Sequence, residues 1–437
     1  MIAIAHRIEL KPNNKQKTYF RKAFGCARLA WNWGLAEWQR QYKEGGKPSA
    51  YALKKQFNAA KKEQYPFVYE VTKYASQQPF MDLQDAFSRF FKKQSKHPQF
   101  KRKKDGQGSF YIGGDQVKLS SVNTNSKVFK KMAHNEKCKH QYIKVPNLGC
   151  VKMTERVRFN GKINGVTISQ SGGKFYVSFS MMISEEEYQH THPKTNQPKE
   201  GVVGIDLGVK AALILSDGIA INNPKPIYKA QRRITRLQRQ LSKRVHARTK
   251  QERLLGVTKS NNYHKLVQKV SRAQHKVADA RHDFINKVTT ILTTRYAEIA
   301  MESLNARGMM KNHRLAKSIA DVSFHEIRRQ IEYKAAYNGV KVTKADQWYA
   351  SSKTCSQCGN VVQRLALSQR TYRCECCGAV IDRDLNAALN LRSLISHISV
   401  GTDYPELTPA DLTALLSVFS KNRVATSKVE TGKQRKL

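Results

Sequence analysis

Residues 201–218 read GVVGIDLGVKAALILSDG. The pattern is a buried strand, a tight glycine turn and a second strand. Asp206 lies inside the first of them. An unpaired ionised carboxylate among residues that face a core costs several kcal/mol. Asp206 therefore pairs with a buried arginine, caps a neighbouring turn, or has chemistry to perform.

Two further acids raise the same question. Glu302 lies in EIAMESL (298–304), another apolar strand. Asp384 lies in DRDLNAALNL (382–391), at the start of a short amphipathic helix, where Asp is favoured as an N-cap and where Asp382 could fill the same role. Three carboxylates converging at one sheet edge can hold two Mg²⁺ ions about 4 Å apart. Mg²⁺ is a hard ion that prefers oxygen, which is why carboxylates suit it. The chemistry expected of such a site is hydrolysis of a phosphodiester.

Around these strands the chain reads as α/β. Residues 229–292 carry two long helices broken near GVTKSNN. Ile234, Leu237 and Leu241 form a seam in the first, and Leu266, Val270, Ala273, Val277, Ala280 and Phe284 form one in the second. A further helix near 315–338 and the segment GVKVTKAD complete the pattern. Between Lys229 and Arg281 there are 16 Lys or Arg against two acidic residues. Charges of nearly one sign point to a polyanion along this hairpin rather than to simple solvation.

The whole chain tells the same story. Its 437 residues carry 78 Lys or Arg against 33 Asp or Glu, a formal charge of +45. The apolar fraction is that of a folded protein, so this is no disordered polycation. Nucleic acid is the expected partner. No run reaches the roughly 18 apolar residues of a membrane span. The start, MIAIAHRIELKPNN, alternates like an edge strand and has neither a basic leader nor a cleavage signature, so the cytoplasm is the default location.

The N-terminal part has two textures. From Lys15 to Tyr42 the steps of three and four between Phe20, Phe24, Ala27, Trp31, Leu35, Trp38 and Tyr42 mark one long helix. A second pattern with Leu83, Phe87 and Phe91 starts after Pro79, so 11–95 reads as a helical bundle. Residues from about 100 to 184 read as short strands, with a hairpin turn at Gly172-Gly173. With the first strand they suggest a β-barrel interrupted by the bundle. EEEYQHTHPKTNQPKEG then reads as a polar linker.

TCSQCGN (354–360) and YRCECCG (372–378) supply Cys355, Cys358, Cys374 and Cys377, two C-x-x-C pairs fifteen residues apart. That is the pattern of a four-thiolate zinc ribbon. Each pair ends in glycine, Gly359 or Gly378, where the knuckle needs positive φ. Cys376 precedes a cysteine rather than a glycine and is the spare. Four thiolates leave no open position, so the zinc is structural. Cys26, Cys138 and Cys150 are scattered thiols.

GIDLGVKAALILSDG, IAMESL, LAKSIADVSFHEIRRQIEYKA, WYASSKTCSQCG, LSQRTYRCECCG and DRDLNAALNL occur in an order that resembles the TnpB family. AFGCARLAWNWGLAE and PQFKRKKDGQGSF resemble it too, and the likeness covers nearly all of 1–395. These are transposon-encoded RNA-guided nucleases related to compact type V CRISPR effectors. The resemblance implies a multidomain α/β fold: a RuvC-like, RNase H-type nuclease at 201–350 and 381–398, with the zinc ribbon inserted at 351–380. It also implies a wedge β-barrel at 1–10 and 96–185, split by a helical recognition domain at 11–95. A linker at 186–200 and a largely disordered tail at 399–437 complete the expectation.

The resemblance places the catalytic triad on Asp206, Glu302 and Asp384, the motif D-x-N-A-A selecting Asp384 over Asp382. It implies a guide RNA from the transposon end, double-stranded target DNA, and a monomeric ribonucleoprotein that reads a short motif beside the target. Lys101, Arg102, Lys103 and Lys104, with Arg232, Arg233, Arg236 and Arg239, are the expected backbone contacts. Lys73 and Gln77, four apart, and Tyr51 nearby are candidate motif readers. The alternatives are a nuclease-inactive RNA-guided regulator, against which the presence of all three acids argues, and a transposase acting on transposon ends.

Overall fold

The computed structural model describes residues 1–103, 108–120, 141–192, 201–246, 260–346, 348–366 and 368–395. The chain divides into two compact units, Met1–His192 with Val267–Arg272, and Pro193–Leu266 with Ala273–Leu437. The expected tail at 399–437, Lys104 and Cys138 lie outside the described residues.

In the first unit, β1 (Ile2–Leu10) leads into α1 (Asn14–Lys43), α2 (Ala50–Gln64) and α3 (Lys73–Phe91). Then come β2 (Ser109–Gly113), β3 (Lys118–Ser120), β4 (Tyr142–Val145), β5 (Gly149–Lys152), β6 (Lys162–Ser171), β7 (Lys174–Ile183) and α4 (Glu185–Thr191). One antiparallel sheet has the order β1-β7-β6-β2 and a second the order β3-β4-β5. β1 is an edge strand, and its last residue bridges Met153 just beyond β5. Gly172 and Gly173 both take positive φ and close the β6–β7 hairpin. Phe175, Val177, Phe179, Met181 and Ile183 alternate inward along β7, and Phe20 and Phe24 of α1 pack among them.

The bundle is richer than its sequence pattern. α2 shows no clear period in the sequence, because Leu53 and Phe57 are the only large residues among its buried Ala50, Leu53 and Phe57. α3 begins at Lys73, six residues before Pro79, rather than after it. Proline forfeits one backbone bond and strains an interior turn, a cost of about 3 kcal/mol. Burial of Ala75, Ser76, Pro79 and Phe80 offsets it. Of the expected linker 186–200, residues through Thr191 are helical. Ser184 Oγ caps Glu187 N–H at 3.1 Å, Glu185 to Glu187 suit the positive end of the helix dipole, and Tyr188 is buried.

The second unit holds β8 (Val202–Leu207), β9 (Ala211–Leu215), β10 (Ala220–Asn222), α5 (Pro226–His246), α6 (Asn261–Arg295) apart from Val267–Arg272, and β11 (Glu298–Met301). After these come α7 (Ala306–Met309), α8 (Ala316–Val322), α9 (Phe324–Asn338), β12 (Lys341–Lys344), β13 (Thr371–Arg373), β14 (Val380–Asp382) and α10 (Arg383–Arg392). The five-stranded sheet runs β10-β9-β8-β11-β12, with β8, β11 and β12 parallel. Ile285, Val288 and Leu292 of α6 and Ile327 and Ile331 of α9 cover one face. Leu391 and Ile395 pack with Ala300 on the other. Coverage on both faces explains why β8 and β11 are apolar runs rather than alternating ones.

Gly204 explains how close α10 comes. A Cβ there would sit 2.0 Å from the Ala388 carbonyl oxygen and 2.5 Å from the Arg392 nitrogen. Only glycine lets the helix backbone rest on the strand.

Two helix readings change. The expected helix at 315–338 is two helices, α8 and α9, broken at Ser323, whose φ of 61° is left-handed. The α6 seam holds at Leu266, Val270, Ala273, Val277 and Phe284, but Ala280 is exposed. The stripe passes instead through Arg281, one position on, which approaches buried Asp321 at 3.8 Å. Among the described residues no helix is long and apolar enough to cross a membrane.

Candidate active site and metal centre

The parallel register sets the first two acids. Ile205 pairs with Met301, and Asp206 and Glu302 are the next residues along β8 and beyond β11. Both sit at the carboxyl edge of the sheet, where open α/β sheets bind ligands. Burial, then the neighbouring carboxylates of Glu302 and Asp384, push Asp206 well above the ordinary carboxylate range, while Arg383 pulls it down.

The helix supplies the third. Asp382 is the N-cap of α10, accepting from the N–H groups of Asp384 at 3.0 Å and Leu385 at 3.1 Å. Asp384 is thereby free of the capping task. Its carboxylate lies 3.5 Å from Arg370 and 3.8 Å from Arg383. In the metal-free state two guanidinium groups therefore offset part of the charge at Asp384.

The ribbon is tied to this edge by side chains that the sequence did not single out. Ser351 Oγ donates to Glu302 Oε1 at 2.6 Å. Asn390 Nδ2 donates to the carbonyls of Ser351 at 2.7 Å and Thr354 at 2.6 Å. Asn386 Nδ2 donates to the Thr354 carbonyl at 2.7 Å, and its Oδ1 accepts from Ser356 N–H at 3.0 Å. Asn386 and Asn390 stand four apart on one face of α10, a spacing that was the available signal. A cleft beside Glu302 is lined by Leu207, Leu304, Phe324, His325 and Arg328. His325 and Arg328 also went unmarked in the sequence.

Cys355, Cys358, Cys374 and Cys377 bring their Sγ atoms within 4.8 Å of one another. Cys355 and Cys377 are 3.6 Å apart and Cys358 and Cys374 3.5 Å. A tetrahedral zinc with bonds of about 2.3 Å asks for sulfur separations of about 3.8 Å, so the cluster fits zinc. Gly359 and Gly378 take φ of 76° and 71°. Their N–H groups bond the Cys355 and Cys374 carbonyls at 2.9 and 3.0 Å, closing each knuckle. Backbone N–H groups, that of Cys377 foremost, lower the Cys374 thiol, while the neighbouring thiols raise Cys377, so in the metal-free cluster the four sulfurs compete for one negative charge that zinc would relieve. Cys376 is exposed and outside the cluster. Among the described residues these four cysteines are the group whose ligand atoms are already gathered for a metal.

The expected nucleic-acid residues vary in setting. Arg232, Arg233, Arg236 and Arg239 are all exposed on α5. Lys101, Arg102 and Lys103 are all exposed, and the Lys101 ammonium lies 3.8 Å over the Trp31 ring, where desolvation lowers its pKa. Lys101 also exchanges backbone hydrogen bonds with the Asn32 side chain. Lys73 and Gln77 share the first turns of α3, exposed and half-buried, and Tyr51 is 73% exposed at the start of α2. Cys26 and Cys150 are buried, and burial raises the Cys26 thiol to about 11.

Three protein-family models match the chain. They are described as "Helix-turn-helix domain" at residues 1–47, "Probable transposase" at 185–313 and "Cas12f1-like, TNB domain" at 324–391. Residues 1–47 hold β1 and the single helix α1, so the first description does not fit the geometry seen here. A Streptomyces pristinaespiralis protein named "Putative RNA-guided DNA endonuclease" is 29% identical over 89% of this chain and 88% of its own. "Putative RNA-guided DNA endonuclease InsQ" of Escherichia coli is 28% identical over 89% and 91%. A solved Cas12f1-sgRNA-target DNA complex shares the fold at a TM-score of 0.52 and 16% identity, covering 86% of this chain and 83% of that one.

Proposed function

We infer from these matches and from the three neighbouring acids that the chain belongs to the TnpB family and is an RNA-guided DNA endonuclease. The observation that carries the reading is the meeting of Asp206, Glu302 and Asp384 at one sheet edge in a protein of charge +45. A structural role for the acids is a poor alternative, since their mutual repulsion costs stability in the metal-free protein. The presence of all three also disfavours a nuclease-inactive regulator.

In this reading Asp206, Glu302 and Asp384 would hold two Mg²⁺ ions, and the ions would supply Lewis acidity for ligating the phosphate, activating water and stabilising the leaving 3′ oxygen. The net reaction adds water across one P–O3′ bond and leaves a 5′-phosphate and a 3′-hydroxyl. The protein's part is placement. β8 fixes Asp206 within a paired strand, Glu302 follows directly on β11, and α10 delivers the third. Arg370 and Arg383 lie beside Asp384 and supply positive charge at the same edge. The four cysteines hold one structural Zn²⁺, and the ribbon steadies the loop from Ser351 to Ser356 against α10.

The second unit corresponds to a RuvC-like, RNase H-type nuclease with its ribbon insertion, and the first to a wedge β-barrel with a helical recognition bundle. A guide RNA from the transposon end pairs with one strand of double-stranded target DNA, and the protein reads a short adjacent motif. Arg232, Arg233, Arg236 and Arg239, with Arg102 and Lys103, grip the nucleic-acid backbone. Tyr51, Lys73 and Gln77 contribute to motif reading. Sequencing the RNA that copurifies from the native locus tests guidance. One structured RNA with a variable end is expected, and a random cellular mixture contradicts the reading.

A further inference from the structure

We propose that Ser351 is a positioning residue that fixes the Glu302 carboxylate through its hydroxyl, making the base of the ribbon part of the metal-binding edge. The inference rests on the reading of Asp206, Glu302 and Asp384 as metal ligands. Glu302 lies just past the end of β11, whereas Asp206 lies within β8 and Asp384 within α10, so no regular element holds Glu302. Its Oε1 accepts from Ser351 Oγ at 2.6 Å. Ser351 is only 4% exposed and its carbonyl accepts from Asn390 Nδ2 at 2.7 Å. Its N–H donates to the Tyr349 carbonyl at 2.9 Å, and Tyr349 Oη donates to the Asn390 carbonyl at 3.1 Å. Ser351 is therefore held on both sides by α10, the helix that carries Asp384. One serine links the second and third acids.

The consequence is orientational. A carboxylate whose one oxygen is engaged by a fixed hydroxyl presents the other in a single direction. Outer partners of this kind orient ligands, and their loss typically weakens metal binding by about 10- to 100-fold. A hydroxyl brings no positive charge to the edge, so it competes less with a cation than an arginine would.

The test is Mn²⁺ binding to the full chain without nucleic acid, read by electron paramagnetic resonance, with zinc content measured in parallel. Ser351→Ala is expected to bind Mn²⁺ about tenfold more weakly than wild type. Thr and Val have nearly equal volume, so Ser351→Thr is expected to bind more tightly than Ser351→Val, with zinc retained in all. Wild-type affinity in Ser351→Ala, Thr no better than Val, or zinc loss accompanying the effect would overturn the proposal. If Asp206→Ala removes no Mn²⁺ from wild type, the metal-ligand reading itself falls, and this inference with it.

Discussion

Asp206 and Glu302 are neighbours at the carboxyl ends of two parallel strands, one residue past the Ile205–Met301 pair. In the metal-free state such closeness is a cost. Burial and the adjacent carboxylates hold the Asp206 pKa well above its ordinary value. The native state therefore keeps a proton that the unfolded chain releases near pH 4. Stability falls as pH rises from that ordinary value through the raised native one, and is flat above it. Asp206→Asn is expected to raise the melting temperature of chelator-treated protein at pH 8, with the gain vanishing near pH 4. Thermal melts at both pH values check this, and a gain equal at both would contradict it.

Gly204→Ala should be severe. The added methyl meets backbone atoms of α10, which cannot rotate away as a side chain can. A loss of about 3 kcal/mol or more is expected, as for strong overpacking of a core. DNA cleavage should fall further than the melt alone explains, because α10 carries Asp384. A variant with normal melting and normal cutting would refute the packing account.

The two serine variants Cys374→Ser and Cys376→Ser separate ligand from bystander. The first should lose zinc and solubility, since a ribbon this small draws its folding energy from the metal. The second should keep both. Metal analysis of the purified proteins decides it, and equal zinc loss would overturn the assignment of Cys376 as spare.

Asn386 and Asn390 are almost fully buried, and each satisfies carbonyls at the root of the ribbon. Asn390→Ala leaves the Ser351 carbonyl without that donor, a penalty of about 1–3 kcal/mol. Zinc should stay bound while cleavage drops. Intact cleavage would mean that the ribbon's attachment to α10 does not matter for the acids.

Neutralising Arg232, Arg233, Arg236 and Arg239 together with glutamine should weaken nucleic-acid binding across sequences. If each meets a phosphate, the slope of log affinity against log salt should shrink by about 3. Filter binding over a salt series measures it, and an unchanged slope would remove α5 from the interface.

The sequence made some of this legible for clear physical reasons. Asp206 stood out because a carboxylate within an apolar strand needs an explanation. The cysteine spacing and the trailing Gly359 and Gly378 followed from the geometry of a metal knuckle. α1 was visible because seven apolar residues keep one helical period. What escaped depends on partners far along the chain. α2 buries too few large residues to show a period, and α3 runs through Pro79 because packing outweighs the proline. Whether Asp382 or Asp384 caps α10 could not be settled from composition, and the hydrogen bonds assign the task to Asp382. Ser351 is an unremarkable serine in sequence, and only the fold brings it to Glu302.

The most direct measurement is guided plasmid cleavage by the protein assembled with its guide RNA, wild type beside Asp206→Ala, in Mg²⁺ and in chelator. The account predicts that wild type cuts only the guide-matched plasmid and only with Mg²⁺. Asp206→Ala should bind RNA and target with near wild-type affinity and cut neither strand. Full cutting by Asp206→Ala, or cutting that ignores the guide, would contradict it.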